Sequence, residues 1–92
     1  MYTIFITPEA LKDIKKHKKA GDKSILRKIN VLLEELKIHP RTGTGKPEQL
    51  RYLELDDVWS RRITGKHRLI YIIEETQIKI NIIKAYGHYD DK

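Results

Sequence analysis

The amino-acid sequence predicts an α+β fold of order β-α-α-β-β-β-β, a mainly antiparallel sheet with two N-terminal helices packed on one face. Three features predict it. Ile25, Ile29, Leu32, Leu33 and Leu36 recur at helical offsets and form one amphipathic stripe. After Pro47, runs of β-forming residues alternate with short turn signals. A helix-start signal, Thr7-Pro8-Glu9, directly follows a short β-forming run. Helices segregated before strands, with tight turns between the later strands, imply helices on one face of an antiparallel sheet.

Tyr2 to Ile6 reads as the first strand. Thr7 can then cap free backbone N–H groups, Pro8 suits the first helical turn, and Glu9 favours the positive helix end. This helix is expected to run to about Ala20, with Gly21 as its left-handed stop. Its apolar face is thin (Ala10, Leu11, Ile14), and Lys12, Lys15, Lys16, Lys18 and Lys19 cover the rest. Asp22 caps a second helix, Lys23 to Ile38, which His39-Pro40 ends because a residue before proline avoids helical backbone. Arg41 to Pro47 is a loop with two glycines and only positive charges. Leu50–Leu55 and Val58–Ile63 are strands. Thr64-Gly65-Lys66 leads into a strand over His67–Glu74 as a hairpin. Glu74-Glu75-Thr76 is a further turn, and Gln77 to Tyr86 is an isoleucine-rich last strand.

Ninety-two residues without a linker imply one domain over residues 1–92, with a small core. The absence of cysteine excludes disulfides and thiolate metal sites. No apolar run approaches the roughly 18 residues that span a bilayer, and Met1-Tyr2-Thr3-Ile4-Phe5 does not read as a signal peptide, so a cytoplasmic, membrane-free protein is expected. Nineteen Lys and Arg against thirteen Asp and Glu give a net charge of +6, a field that attracts nucleic acid.

Metal chemistry is not expected, because His17, His39, His67 and His88 lie on different elements without paired ligand spacing. Gly43-Thr44-Gly45-Lys46 lacks the spacing and the Lys-Ser/Thr pair of a phosphate-binding loop. What remains is an acid–base set: Glu48, His88 and the arginines Arg51, Arg61, Arg62 and Arg68. Such a set can cleave RNA without metal or cofactor. A base takes the proton of the ribose 2′-OH, an acid protonates the leaving 5′-oxygen, and cations stabilise the charge on phosphorus. Trp59 reads as core, not as a base-stacking platform. The hairpin adds a geometric test. A two-residue loop puts Arg61 opposite Arg68, and a three-residue loop puts Arg62 there. Either way two guanidiniums share one face, an arrangement that makes sense if an anion sits between them.

Gly45-Lys46-Pro47-Glu48-Gln49-Leu50, Trp59-Ser60-Arg61-Arg62-Ile63-Thr64, His67-Arg68-Leu69-Ile70-Tyr71 and His88-Tyr89 resemble the signature blocks of the Txe/YoeB toxins, part of the wider RelE/ParE superfamily. The resemblance covers roughly the C-terminal half in order and spacing. It implies a compact cytoplasmic RelE/YoeB-like domain held inactive by a YefM-like antitoxin. Freed, the toxin would cut mRNA in the ribosomal decoding site. It also implies roles: Glu48 as general base, His88 as general acid, Arg68 with Arg62 stabilising the phosphorane, and Tyr89 orienting the phosphate. Lys46, Arg51 and Arg61 are then expected at the RNA, and Arg62 opposite Arg68 requires the three-residue loop. Homodimers, and operator DNA reached through the antitoxin complex, are further expectations. The chain departs from the pattern in continuing past His88-Tyr89 with Asp90-Asp91-Lys92, which reads first as a solvated tail with little effect and otherwise as two carboxylates that repel RNA or favour a protonated His88. The alternatives are a ParE-like toxin acting on gyrase without cutting RNA, and a non-catalytic basic module binding nucleic acid by charge.

Overall fold

The computed structural model describes residues 1–52 and 55–87. Its elements are β1 (Thr3–Ile6), α1 (Pro8–Lys19), α2 (Lys23–Leu36), β2 (Glu48–Tyr52), β3 (Leu55–Arg62), β4 (Arg68–Glu74) and β5 (Lys79–Lys84). The sheet order is β1-β5-β4-β3-β2. Three neighbouring pairs are antiparallel, and β1 joins β5 in parallel, so the expected α+β architecture is the one observed.

The helix boundaries follow from local chemistry. The Thr7 hydroxyl accepts from Ala10 N at 3.2 Å and donates to Ile82 O at 2.7 Å, so one side chain caps α1 and pins it to β5. Asp22 accepts from Ile25 N at 3.1 Å and caps α2. Several boundaries differ from the sequence expectation: β2 spans Glu48–Tyr52 instead of Leu50–Leu55, and β3 starts at Leu55 instead of Val58. Helix α2 ends at Leu36, before Ile38, because the amides of Ile38 and His39 both fold back onto Glu35 O ahead of Pro40. Strand β5 starts at Lys79 and ends at Lys84. A short 3-10 turn over Glu75–Gln77 and the left-handed Ile78 (φ 49°) consume its expected start. Ala85 at its far end bonds to side chains instead of a strand.

The core lies between the helices and the sheet. Ile25, Ile29, Leu32 and Leu36 of α2 and Ala10 of α1 pack on Leu69, Tyr71 and Ile73 of β4 and on Ile80 and Ile82 of β5. Trp59 is half-buried against this core, as expected, and its indole N–H donates to Asp57 at 2.8 Å. Leu11 is exposed, and the buried stripe of α1 continues instead through His17. The opposite face of the sheet carries a smaller cluster, Leu50, Val58 and Ile70, that includes no helical residue. Among the described residues no helix is long and apolar enough to cross a membrane.

Candidate active site

Strand pairing places three of the candidate residues, Glu48, Arg62 and Arg68, on the face of the sheet away from the helices. Glu48 of β2 pairs with Ser60 of β3, and Ser60 pairs with Ile70 of β4. Two residues along β3 and two back along β4, Arg62 pairs with Arg68. Paired residues share a face, as do residues two apart on one strand. Glu48, Arg62 and Arg68 therefore share a face, with Glu48 diagonal to Arg62. The hairpin closes with Ile63 N donating to His67 O at 3.0 Å around Thr64-Gly65-Lys66, the three-residue alternative. The Thr64 hydroxyl accepts from the amides of Lys66 and His67, each at 3.1 Å, and stiffens the turn.

Arg62 is exposed, and Arg68 is half-buried with its guanidinium turned to the hairpin, donating to Thr64 O at 2.7 Å and to His67 O at 3.2 Å. Two guanidiniums on directly opposed positions cost stability unless an anion joins them. Arginine's planar fork suits a phosphate there. Glu48 is an exposed carboxylate at the start of β2, within one residue pair of these cations. Lys46, also exposed, holds a left-handed backbone (φ 50°) that an L-residue adopts only at a cost of about 1–2 kcal/mol. Strain of this kind clusters at binding sites. Arg51 is exposed at the break in the β2–β3 register, apart from the row of Glu48, Arg62 and Arg68.

Arg61 corrects an expectation. It is fully buried on the helix side of β3 and has no surface to offer RNA. Its guanidinium donates to Tyr71 Oη at 3.1 Å, Glu35 Oε1 at 3.0 Å, Thr42 O at 2.6 Å, Thr44 O at 3.3 Å and His39 O. Tyr71 Oη in turn donates to Pro40 O at 2.8 Å, and burial raises the pKa of this phenol. Bonds from the Thr44 hydroxyl and amide, with help from Arg61, hold the Glu35 carboxyl below its ordinary value. The buried cation thus gathers the loop from His39 to Thr44 against β3. The loop then passes so close to β3 that Arg62 N donates to Gly45 O at 2.7 Å. A Cβ on Gly45 would lie 2.9 Å from Arg62 O, and its φ is +88°, so only glycine fits there.

At the other border of the site, the chain leaving β5 is tied down by side chains. Asp13 Oδ2 accepts from Ala85 N at 2.9 Å, and His17 Nε2, 2.8 Å from Ala85 O, must donate because a carbonyl only accepts. Gly87 N donates to His67 Nδ1 at 2.9 Å, and Arg68 N donates to Gly87 O at 2.9 Å. Gly87 therefore lies directly beside Arg68. Burial, reinforced by the neighbouring His17 and Lys66 and opposed by Asp22, lowers the pKa of His67. The candidate acid His88 and Tyr89, like Asp90-Asp91-Lys92, fall outside the described residues.

Sequence reasoning missed Asp13, His17 and His67 as a group. A signal existed for the first two. They are four apart on α1 and share one face, in line with Ala10 and Ile14, where a lysine-rich helix has no other reason to place a histidine. Among the described residues no group of three or more His, Asp or Glu could hold a metal ion.

Residues 6–89 match the family described as YoeB-like toxin of bacterial type II toxin–antitoxin system. Toxin YoeB of Escherichia coli K12 is 44% identical over 59 residues, which are 64% of this chain and 69% of that protein. The solved YoeB dimer of Staphylococcus aureus is 35% identical with a TM-score of 0.81, over 96% of this chain and 98% of that one. YoeB in the YoeB–YefM complex of the same organism is 33% identical with a TM-score of 0.77, over 97% and 99%. Fold, residue pattern and likeness over nearly the whole length agree: the chain belongs to the YoeB-like toxin family of bacterial type II toxin–antitoxin systems.

Proposed function

We propose that this toxin is a ribosome-dependent mRNA endoribonuclease that halts translation by cutting mRNA in the ribosomal A site. The observation that carries the reading is the strand register, which puts Glu48, Arg62 and Arg68 on one open face with Gly87, the residue before His88, against Arg68. Glu48 takes the proton of the ribose 2′-OH. The 2′-oxygen attacks the adjacent phosphorus, and Arg68 and Arg62 stabilise the charge on the pentacovalent phosphorane. As the bond from phosphorus to the 5′-oxygen breaks, His88 gives that oxygen a proton. The products are a 2′,3′-cyclic phosphate, which can open to a 3′-phosphate, and a 5′-OH. Glu48 ends protonated and His88 neutral, and solvent exchange resets both. Tyr89 orients the scissile phosphate, while Lys46 and Arg51 contact the RNA backbone. The two arginines supply the cationic stabilisation that a metal ion provides elsewhere.

A nuclease of this kind endangers its own cell, so it acts in the cytoplasm under the control of an antitoxin. The partner is a YefM-like chain with an acidic segment that folds over the basic face and buries Arg62 and Arg68. The S. aureus relative solved with YefM supports this partner, and the relative solved as a dimer supports a homodimer. Operator DNA is reached through the antitoxin complex.

The test is mRNA cleavage in a purified translation system, with 5′ ends mapped for wild type, Glu48→Ala and His88→Ala. Codon-phased cuts with 5′-OH ends, lost or slowed by at least about 100-fold in both variants, are expected. Intact mRNA under conditions where the wild type still arrests growth would refute the reading and make gyrase the next target to assay.

A further inference from the structure

Past Lys84 the chain before His88 is held mainly by side chains, with one backbone bond, Arg68 N to Gly87 O, still tying it to β4. Strand β5 ends at Lys84, and the polar backbone groups of Ala85 and Gly87 find their partners elsewhere. Asp13 takes Ala85 N, His17 takes Ala85 O, His67 takes Gly87 N, and the amide of Arg68 takes Gly87 O. Three rings close over this segment. His17 and His67 meet edge to face at 4.6 Å, Tyr86 lies 4.6 Å from His67 and 4.9 Å from His17, and Lys16 Nζ sits 4.8 Å over the Tyr86 ring. Gly87, at φ +86°, turns the chain so that its amide meets His67 and its carbonyl meets Arg68. A buried histidine with a lysine on either side would be a costly core residue if it only filled space.

We propose that Asp13, His17 and His67 are positioning residues that clamp Ala85–Gly87 and thereby aim His88 at the leaving oxygen. The inference rests on the ribonuclease reading above. A general acid must come within about 2.6–3.2 Å of the atom it protonates. A displacement of about 1 Å can cost on the order of 100-fold in rate. Side-chain bonds on both flanks of Tyr86 supply the fixation that strand pairing no longer provides. The roles of the two rings are opposite and chemically defined: His17 must carry a proton on Nε2, and His67 must keep a lone pair on Nδ1.

The experiment is single-turnover cleavage on programmed ribosomes with two mRNAs. One has the ordinary 5′-oxygen at the scissile phosphate, and the other has a bridging 5′-sulfur, a leaving group that needs no proton. His67→Ala is expected to cut the oxygen substrate about 10–100-fold more slowly and the sulfur substrate at close to the wild-type rate. His67→Asn, whose Oδ1 takes the place of the Nδ1 acceptor, should restore the oxygen substrate, and His67→Gln should not. His17→Gln, which keeps a donor where Nε2 stood, should likewise outperform His17→Ala. Glu48→Ala should remain slow on both substrates. Wild-type rates on the oxygen substrate in His67→Ala, or equal losses on both substrates, would overturn the inference. Amide exchange at Gly87 reads the clamp without any cleavage. It should rise in His67→Ala and fall back in His67→Asn, and unchanged exchange would also overturn the clamp. A wild type that cuts neither mRNA would instead remove the ribonuclease reading, and with it the acid that the clamp is said to aim, while Gly87 exchange would still report the clamp itself.

Discussion

Arg61 and Arg62 are chemically identical neighbours on β3, yet one is fully buried under the helices and the other is exposed on the open face. Strand alternation alone separates them. On the helix side, the guanidinium meets a carboxylate, a phenol and three loop carbonyls, and its charge is spent on holding the chain in place. On the open side, the guanidinium faces another arginine across the hairpin, and its charge remains available to an anion. The pair shows how a basic composition divides into a buried cation that holds the chain and an exposed one that faces solvent, a division that net charge cannot show.

The largest expected effect breaks this comparison at Arg61. Arg61→Met removes the donors for Glu35 and for the carbonyls of His39, Thr42 and Thr44. Loss of one partner from a buried, hydrogen-bonded ion pair costs about 3–5 kcal/mol. Glu35 is partly exposed, so the lower end applies. Urea unfolding of Arg61→Met should therefore show a loss of about 3 kcal/mol. Arg62→Ala is expected to stay within about 0.5 kcal/mol of wild type, because its side chain is exposed and faces a like charge. Cleavage should respond in the other sense, with Arg62→Ala folded but slowed by about 100-fold. If both variants unfold alike, strand alternation does not divide the two roles.

Gly45 sharpens the comparison, because it lies where the loop gathered by Arg61 touches the backbone of Arg62. Gly45→Ala must force a Cβ against Arg62 O and strain a left-handed backbone, at about 1–3 kcal/mol. Gly65→Ala, in the hairpin turn, meets nothing within 4 Å and serves as the control. Thermal melting should separate them, and equal melting temperatures would mean that the loop can retreat from β3 at no cost.

The fold was largely legible because its signals are local. The caps Thr7 and Asp22, the α2 stripe and the turn residues each act within a few positions, and each element appeared within about two residues of its expected bounds, apart from the end of β2 and the start of β3. The paired arginines were legible up to one choice, the hairpin loop length, which the turn chemistry of Thr64 settles. Arg61 was misplaced because charge reads as exposure unless a partner is known, and its partners lie 10 to 26 residues away. The clamp on Gly87 was invisible for the same reason: Asp13 and Ala85 are separated by 72 positions, and His67 and Gly87 by 20.

The smallest expected effect concerns pH and contrasts the two borders of the site. The loop at Glu48 is held by the permanent charge of Arg61, whereas the segment at Gly87 is held by a histidine that must stay neutral. Burial chiefly, then His17 and Lys66, keep the His67 pKa below the ordinary value of about 6.5, with Asp22 pulling the other way. Because the folded protein prefers neutral His67, this contribution to stability is complete above about pH 6.5. It is lost as pH falls below that value, where the unfolded chain takes up the proton first. Asn at position 67 accepts from Gly87 N without titrating. The melting-temperature advantage of wild type over His67→Asn should therefore be greater at pH 7.5 than at pH 5, with other titrating groups cancelling in the difference. An advantage that does not change with pH would mean that His67 does not titrate against the Gly87 bond. Both borders of the site would then be equally insensitive to acid.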